Sequence, residues 1–170
     1  MFVESISLHK NTRNANREAF SLPIFAGFVL GTLALGGLGA LIGGTGSYDQ
    51  IVKPPLSPPA WVFPVAWSIL YVLMGIAAYL AWQANAVERS GALRFYLAQL
   101  IVNVLWPVFF FRLEWRLFAF FWLLLLIALV SLTMVGFRYL SRPAYRLLWP
   151  YMLWLFFAGY LNLATYFLNL

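Results

Sequence analysis

Hydropathy divides the chain into five long apolar runs with short polar breaks between them. The runs cover about residues 21–44, 60–84, 93–111, 117–139 and 144–168. At 1.5 Å of rise per residue, a helix of about 20 residues crosses a hydrocarbon core of about 30 Å, and each run meets that length. The breaks carry turn and charge signals: Asn85 to Gly91 with Glu88 and Arg89, Arg112 to Arg116 with Glu114, and Ser141-Arg142-Pro143, a helix-start signature. The pattern predicts an all-α integral membrane bundle of five transmembrane helices over residues 21–170, behind a polar tail at 1–20. The first apolar run is too long for a signal-peptide core and lacks a small-residue cleavage site, so it is expected to stay as a spanning helix.

Composition narrows the chemistry. With 64% hydrophobic and 9% charged residues the chain is far from a soluble globular protein. Cysteine is absent, which removes disulfides, iron–sulfur clusters and thiol chemistry, and the single histidine, His9, lies in the polar tail. No metal and no cofactor is expected. The net charge of +6 is spread over the tail and the connecting segments, which suits membrane topology and headgroups rather than nucleic acid. Eight of the eleven Lys and Arg residues fall in the tail and the second and fourth loops. Under the positive-inside rule the N-terminus is then cytoplasmic and the first loop faces outward. No ionisable residue lies well inside a span, which argues against ion-coupled transport and removes the usual general acids and bases.

What remains in the spans is small, aromatic or neutral polar. Gly27 with Gly31, and Gly39 with Gly43, form two GxxxG pairs that let a helix approach either an internal neighbour or a second protomer. Before the second span stands K-P-P-L-S-P-P-A-W-V-F-P-V-A-W from Lys53, where five prolines impose an extended segment and the aromatic residues give a stiff rim. This stretch reads as the lid of a binding site, with the helix starting near Pro59 or Ala60. Gln99, Asn103, Trp106 and Phe110 share one face of the third helix, and Trp154, Ala158, Leu161, Asn162 and Thr165 one face of the fifth. Trp67 and Tyr71 lie one turn apart below the lid. Such stripes could wall a pocket for a flat hydrophobic ligand, with Ala158 leaving a gap. The same amides could equally serve as interhelical glue. Trp61 and Trp115 suit the membrane interface, and Pro107 and Pro150 are expected to kink or loosen their helices.

Three blocks resemble the tryptophan-rich sensory protein family, TspO, whose animal member is the translocator protein or peripheral benzodiazepine receptor. They are K-P-P-L-S-P-P-A-W-V-F-P-V-A-W-S-I-L-Y-V-L-M-G-I-A from Lys53, Q-L-I-V-N-V-L-W-P-V-F-F-F from Gln99, and W-P-Y-M-L-W-L-F-F-A-G-Y-L-N from Trp149. The resemblance implies a five-helix bundle, commonly a homodimer, that binds porphyrins such as protoporphyrin IX, sterols and benzodiazepine-type ligands under the first loop. It places the ligand-binding residues at Tyr48, Pro58, Trp67, Tyr71, Asn103, Trp106, Pro107, Phe110, Trp154, Ala158, Leu161 and Asn162. It also implies light-dependent porphyrin degradation in some members, with Trp67 and Trp154 as the catalytic pair. Two departures stand out: Leu56 replaces an aromatic of the family's lid motif, and no basic residue follows Tyr166 to complete the animal sterol motif. A carrier of tetrapyrroles or sterols and a purely structural, partner-binding bundle are the alternative readings.

Overall fold

A computed structural model describes residues 20–44, 50–84 and 89–170. Five spans are present: α1 (Leu22–Gly43), α2 (Val62–Trp82), α3 (Arg89–Pro107) extended by a π-helical turn (Val108–Arg112), α4 (Arg116–Leu140), and a fifth made of α5 (Arg142–Leu147) and α6 (Trp149–Leu168). Each is long and apolar enough to cross a membrane.

Local chemistry sets most of the boundaries. Pro23 stands in the first turn of α1, where no N–H is needed, and the Ser21 N–H ahead of it donates to the Tyr79 hydroxyl of α2 at 2.9 Å. Gly44 ends the helix at φ +71, a conformation that suits glycine. Helix α2 starts at Val62 rather than at Pro59 or Ala60, because Pro59 and Ala60 form a turn whose carbonyls accept from the Val62 and Phe63 N–H groups. Helix α3 starts four residues before the expected Leu93. Arg89 does two jobs there: it opens α3 and reaches back to donate to the Trp82 carbonyl at 2.8 Å, satisfying the end of α2.

Pro107 and Pro150 act differently from one another. Pro107 lacks the N–H that would continue the α ladder, and the next residues shift to wider π turns, with Leu113 N–H donating to the Val108 carbonyl at 2.9 Å. Pro150 loosens the fifth span, as expected: a one-residue turn at Leu148 separates α5 from α6, and Pro150 sits in the first turn of α6. A proline is comfortable at that position and not in a helix interior, so the break falls just ahead of it. The Ser141 hydroxyl accepts from the Ala144 N–H at 3.4 Å and caps α5, as its signature suggests.

The helices close into a ring. Helix α1 packs on α2 and α3, α3 on α4, α4 on α6, and α2 on α5. The centre is filled by Met74, Ala77 and Ala78 of α2, Leu123, Leu126 and Phe137 of α4, and Tyr151 and Leu155 of α6. The glycine pairs of α1 part company here. A Cβ on Gly39 would stand 2.9 Å from the Val104 carbonyl oxygen, and one on Gly43 would strike Pro107, so this pair is internal. Gly27 and Gly31 have nothing within 4 Å of that position and face outward from the described bundle.

Candidate functional site

Four neutral polar residues of the interior are held in a chain of hydrogen bonds across three helices. The Tyr71 hydroxyl of α2 donates to Asn103 Oδ1 of α3 at 2.6 Å. Asn103 Nδ2 donates to the Tyr151 hydroxyl of α6 at 2.8 Å, and that hydroxyl donates to Gln99 Oε1 at 3.0 Å. Tyr71, Gln99, Asn103 and Tyr151 are all buried. Both ends of the Asn103 amide are therefore engaged by tyrosines, and the chain fixes α2, α3 and α6 against one another.

An aromatic cluster rests on this chain. Trp67 stacks on Tyr71 with centroids 5.4 Å apart, and its edge contacts lie 6.2 Å from Tyr151 and 6.4 Å from Trp154. Phe63 adds an edge contact to Trp154 at 6.1 Å. All separations fall in the range where rings touch in stacked or edge-to-face geometry. One donor in the cluster is free: Trp154 Nε1 is buried and has no hydrogen-bond partner among the described residues. Tryptophan N–H groups usually find an acceptor when buried, so this one marks a place where an acceptor on a guest would be welcome.

A second group lies along the C-terminal end of α3. Trp106 stacks on Phe110 at 4.9 Å, and its Nε1 is shared between the Ala119 carbonyl of α4 at 3.1 Å and Asn162 Oδ1 of α6 at 3.3 Å. Asn162 Nδ2 donates in turn to the Arg116 carbonyl at 2.8 Å. Asn103 and Trp106 lie on one stripe, yet Asn103 serves α2 and α6 while Trp106 serves α4 and α6. Pro107 is half-buried against Gly43, and Ala158 and Leu161 are half-buried.

The proline loop is tied to the end of the last helix. Asn169 accepts from the Val52 N–H at 2.9 Å and donates back to the Val52 carbonyl at 3.0 Å, and the Tyr160 hydroxyl donates to the Pro55 carbonyl at 2.9 Å. Within the loop, the Ser57 hydroxyl and N–H both donate to the Pro54 carbonyl, closing a tight turn. Leu56 sits in that turn at φ +66 with a side chain 80% exposed, so the residue at this position points away from the bundle. Pro58 is half-buried, and Tyr48 lies outside the described residues.

Three participants were not among the expected binding residues. Tyr151 lies three residues before Trp154 and seven before Ala158, so it shares their helical face, and that spacing could have found it. Gln99 was read as a possible interhelical glue residue, and its bond to Tyr151 is of that kind. Asn169 had no signal, because its partner is a backbone group far away in sequence. Among the described residues no group of metal-ligating side chains occurs.

A five-span helical bundle whose fully buried polar residues, among those described, are all uncharged is a multi-pass integral membrane protein. Comparison with known sequences refines the class: residues 25–168 match the TspO/MBR family, and the chain belongs to it. It is 40% identical to the Tryptophan-rich sensory protein of Cereibacter sphaeroides over 77% of this chain and 82% of the relative. It is 36% identical to Protein CrtK of Rhodobacter capsulatus over 88% and 94%, respectively. With the Translocator protein of Ovis aries the identity is 38%, over 68% of this chain and 70% of the relative.

Proposed function

We propose that the protein is a membrane receptor or sensor that binds protoporphyrin IX and related flat lipophilic molecules beneath the first loop, against α2, α3 and α6. The observation that carries this reading is the buried, unpartnered Trp154 Nε1 inside an uncharged aromatic cluster. Stacking surfaces hold a planar guest, and one donor orients it. Trp67 and Trp154 are close enough, at 6.4 Å, to act together in photo-oxidation of a bound porphyrin with dissolved dioxygen as the oxidant, a reaction that needs neither an acid nor a base from the protein. Sterols are candidate guests for the same apolar walls. The protein acts as a homodimer, and the outward Gly27 and Gly31 face supports this by offering an unobstructed surface for close approach.

Purified protein titrated with protoporphyrin in the dark should quench its tryptophan fluorescence. Under light the porphyrin Soret band should decay, and the Trp67→Phe, Trp154→Phe double variant should slow the decay more than it weakens binding. Equal decay in parent and double variant contradicts the photochemical part. A carrier function is the second reading, favoured by relatives named translocator protein. Uptake of unaltered porphyrin into proteoliposomes above the protein-free rate supports it, and no such uptake dismisses it.

A further inference from the structure

We infer that the outer end of α4 carries a second site, separate from the aromatic cluster, which takes the anionic headgroup of a membrane phospholipid on Arg116. A cavity of about 350 Å³ opens there between the start of α4 and the end of α6, with Glu114, Trp115, Arg116, Phe118, Tyr166 and Asn169 in its walls. It is apolar on the Phe118 and Tyr166 side and charged on the Arg116 side.

The guanidinium is the reason to expect an anion. The Arg116 side chain is only 16% exposed, and its Nε is buried with no hydrogen-bond partner among the described residues. A buried charged donor left unpaired is costly, and an anion is the partner that relieves it best. Its carboxylate neighbour, Glu114, supplies a weak contact: the Nη2 to Oε2 distance is 3.4 Å, against about 2.7–2.9 Å for a strong charge-assisted bond. Glu114 is also 53% exposed and sits at φ +55, a backbone conformation that non-glycine residues seldom adopt. The other polar wall is already spoken for, because the Asn169 amide is bonded to Val52 and to the Thr165 carbonyl. The guanidinium is thus the charged donor in the cavity with a hydrogen bond left to give.

The surroundings select a lipid over a soluble anion. Trp115 and Phe118 are 56% and 44% exposed at the end of a membrane span, where aromatic side chains meet the headgroup region. A phosphate on Arg116 would leave its acyl chains running along the lipid-facing surface of α4, past Phe118 and Phe121. The site also touches both fastenings of the first site. Asn169, in its wall, ties down the proline loop, and the Arg116 carbonyl holds Asn162.

The test counts bound lipid by native mass spectrometry on the full chain in neutral detergent. The probes are dioctanoyl phosphatidylglycerol, dioctanoyl phosphatidylcholine and inorganic phosphate. The parent should bind one molecule of the glycerol lipid about tenfold more tightly than the choline lipid, the range expected of a charge-assisted bond. Arg116→Gln should abolish that preference and lower the tightly bound count by one. Glu114→Gln, which removes the competing carboxylate, should tighten the glycerol lipid by about threefold. A gain cannot come from misfolding, so this variant decides the matter even if Arg116→Gln unfolds. An unchanged count in Arg116→Gln, or no gain in Glu114→Gln, overturns the site. Displacement of the lipid by millimolar inorganic phosphate overturns its assignment to a lipid.

Discussion

Asn103 is the residue whose removal tests the interior most sharply. Replacing it with leucine, close to it in size, takes away the acceptor of the Tyr71 hydroxyl and the donor to the Tyr151 hydroxyl. A net neutral hydrogen bond is worth about 0.5–1.5 kcal/mol, so the loss of two should destabilise the bundle by about 1–3 kcal/mol. Tyr71→Phe removes only the first bond and should cost about half as much. The informative quantity is the coupling. Each single variant loses the 2.6 Å bond between Tyr71 and Asn103, and the double variant loses it only once. The double variant should therefore be less destabilised than the sum of the singles by about 0.6–1.7 kcal/mol, the range for interhelical bonds in membranes. Equilibrium unfolding in mixed micelles, followed by tryptophan fluorescence, gives all four corners of the cycle. Additivity within about 0.3 kcal/mol would refute a direct Tyr71–Asn103 bond as a determinant of stability.

The remaining predictions probe packing and the loop. Gly39→Ala places a methyl group against the Val104 carbonyl and should cost about 1–3 kcal/mol, whereas Gly31→Ala meets open space and should leave monomer stability unchanged or slightly raised in the same unfolding assay. Asn169→Ala removes the direct acceptor of the Val52 N–H; hydrogen exchange at Val52 should speed by about tenfold while the Ser57 amide, bonded to Pro54, changes little. Leu56→Gly should be more stable than Leu56→Ala by about 0.5–1 kcal/mol, because the position lies at φ +66 and its side chain is exposed; the reverse order contradicts the turn geometry.

Much of the architecture is legible in the sequence because a bilayer enforces it. Five apolar runs of spanning length must be helices, and their number and approximate ends follow from hydropathy and turn residues. The corrections come where a backbone group finds a partner outside its own helix. Arg89 opens α3 four residues early and caps α2 with its side chain, and the Pro59 and Ala60 carbonyls hold the turn that delays α2 to Val62. The glycine pairs show the same limit: both read as contact motifs, and only the helix arrangement tells that Gly39 and Gly43 face α3 while Gly27 and Gly31 face outward. At the site, residue type and period brought Trp67, Tyr71, Asn103 and Trp154 to one neighbourhood. They could not say that the Asn103 amide is fully engaged or that the Trp154 indole is the donor left over. That distinction depends on Tyr151, whose hydroxyl takes the amide of Asn103.

The central claim is that a flat lipophilic guest lodges against Trp67 and Trp154 and is oriented by the free indole N–H. A dark fluorescence titration of protoporphyrin IX into the purified parent, Trp154→Phe and Ala158→Phe proteins tests it most directly. Trp154→Phe keeps an aromatic surface and loses one donor, so its Kd should rise by about two- to tenfold. Ala158→Phe narrows the same face of α6 and should weaken binding further. Parent-like affinity in both variants would contradict the assignment of the guest to this cluster.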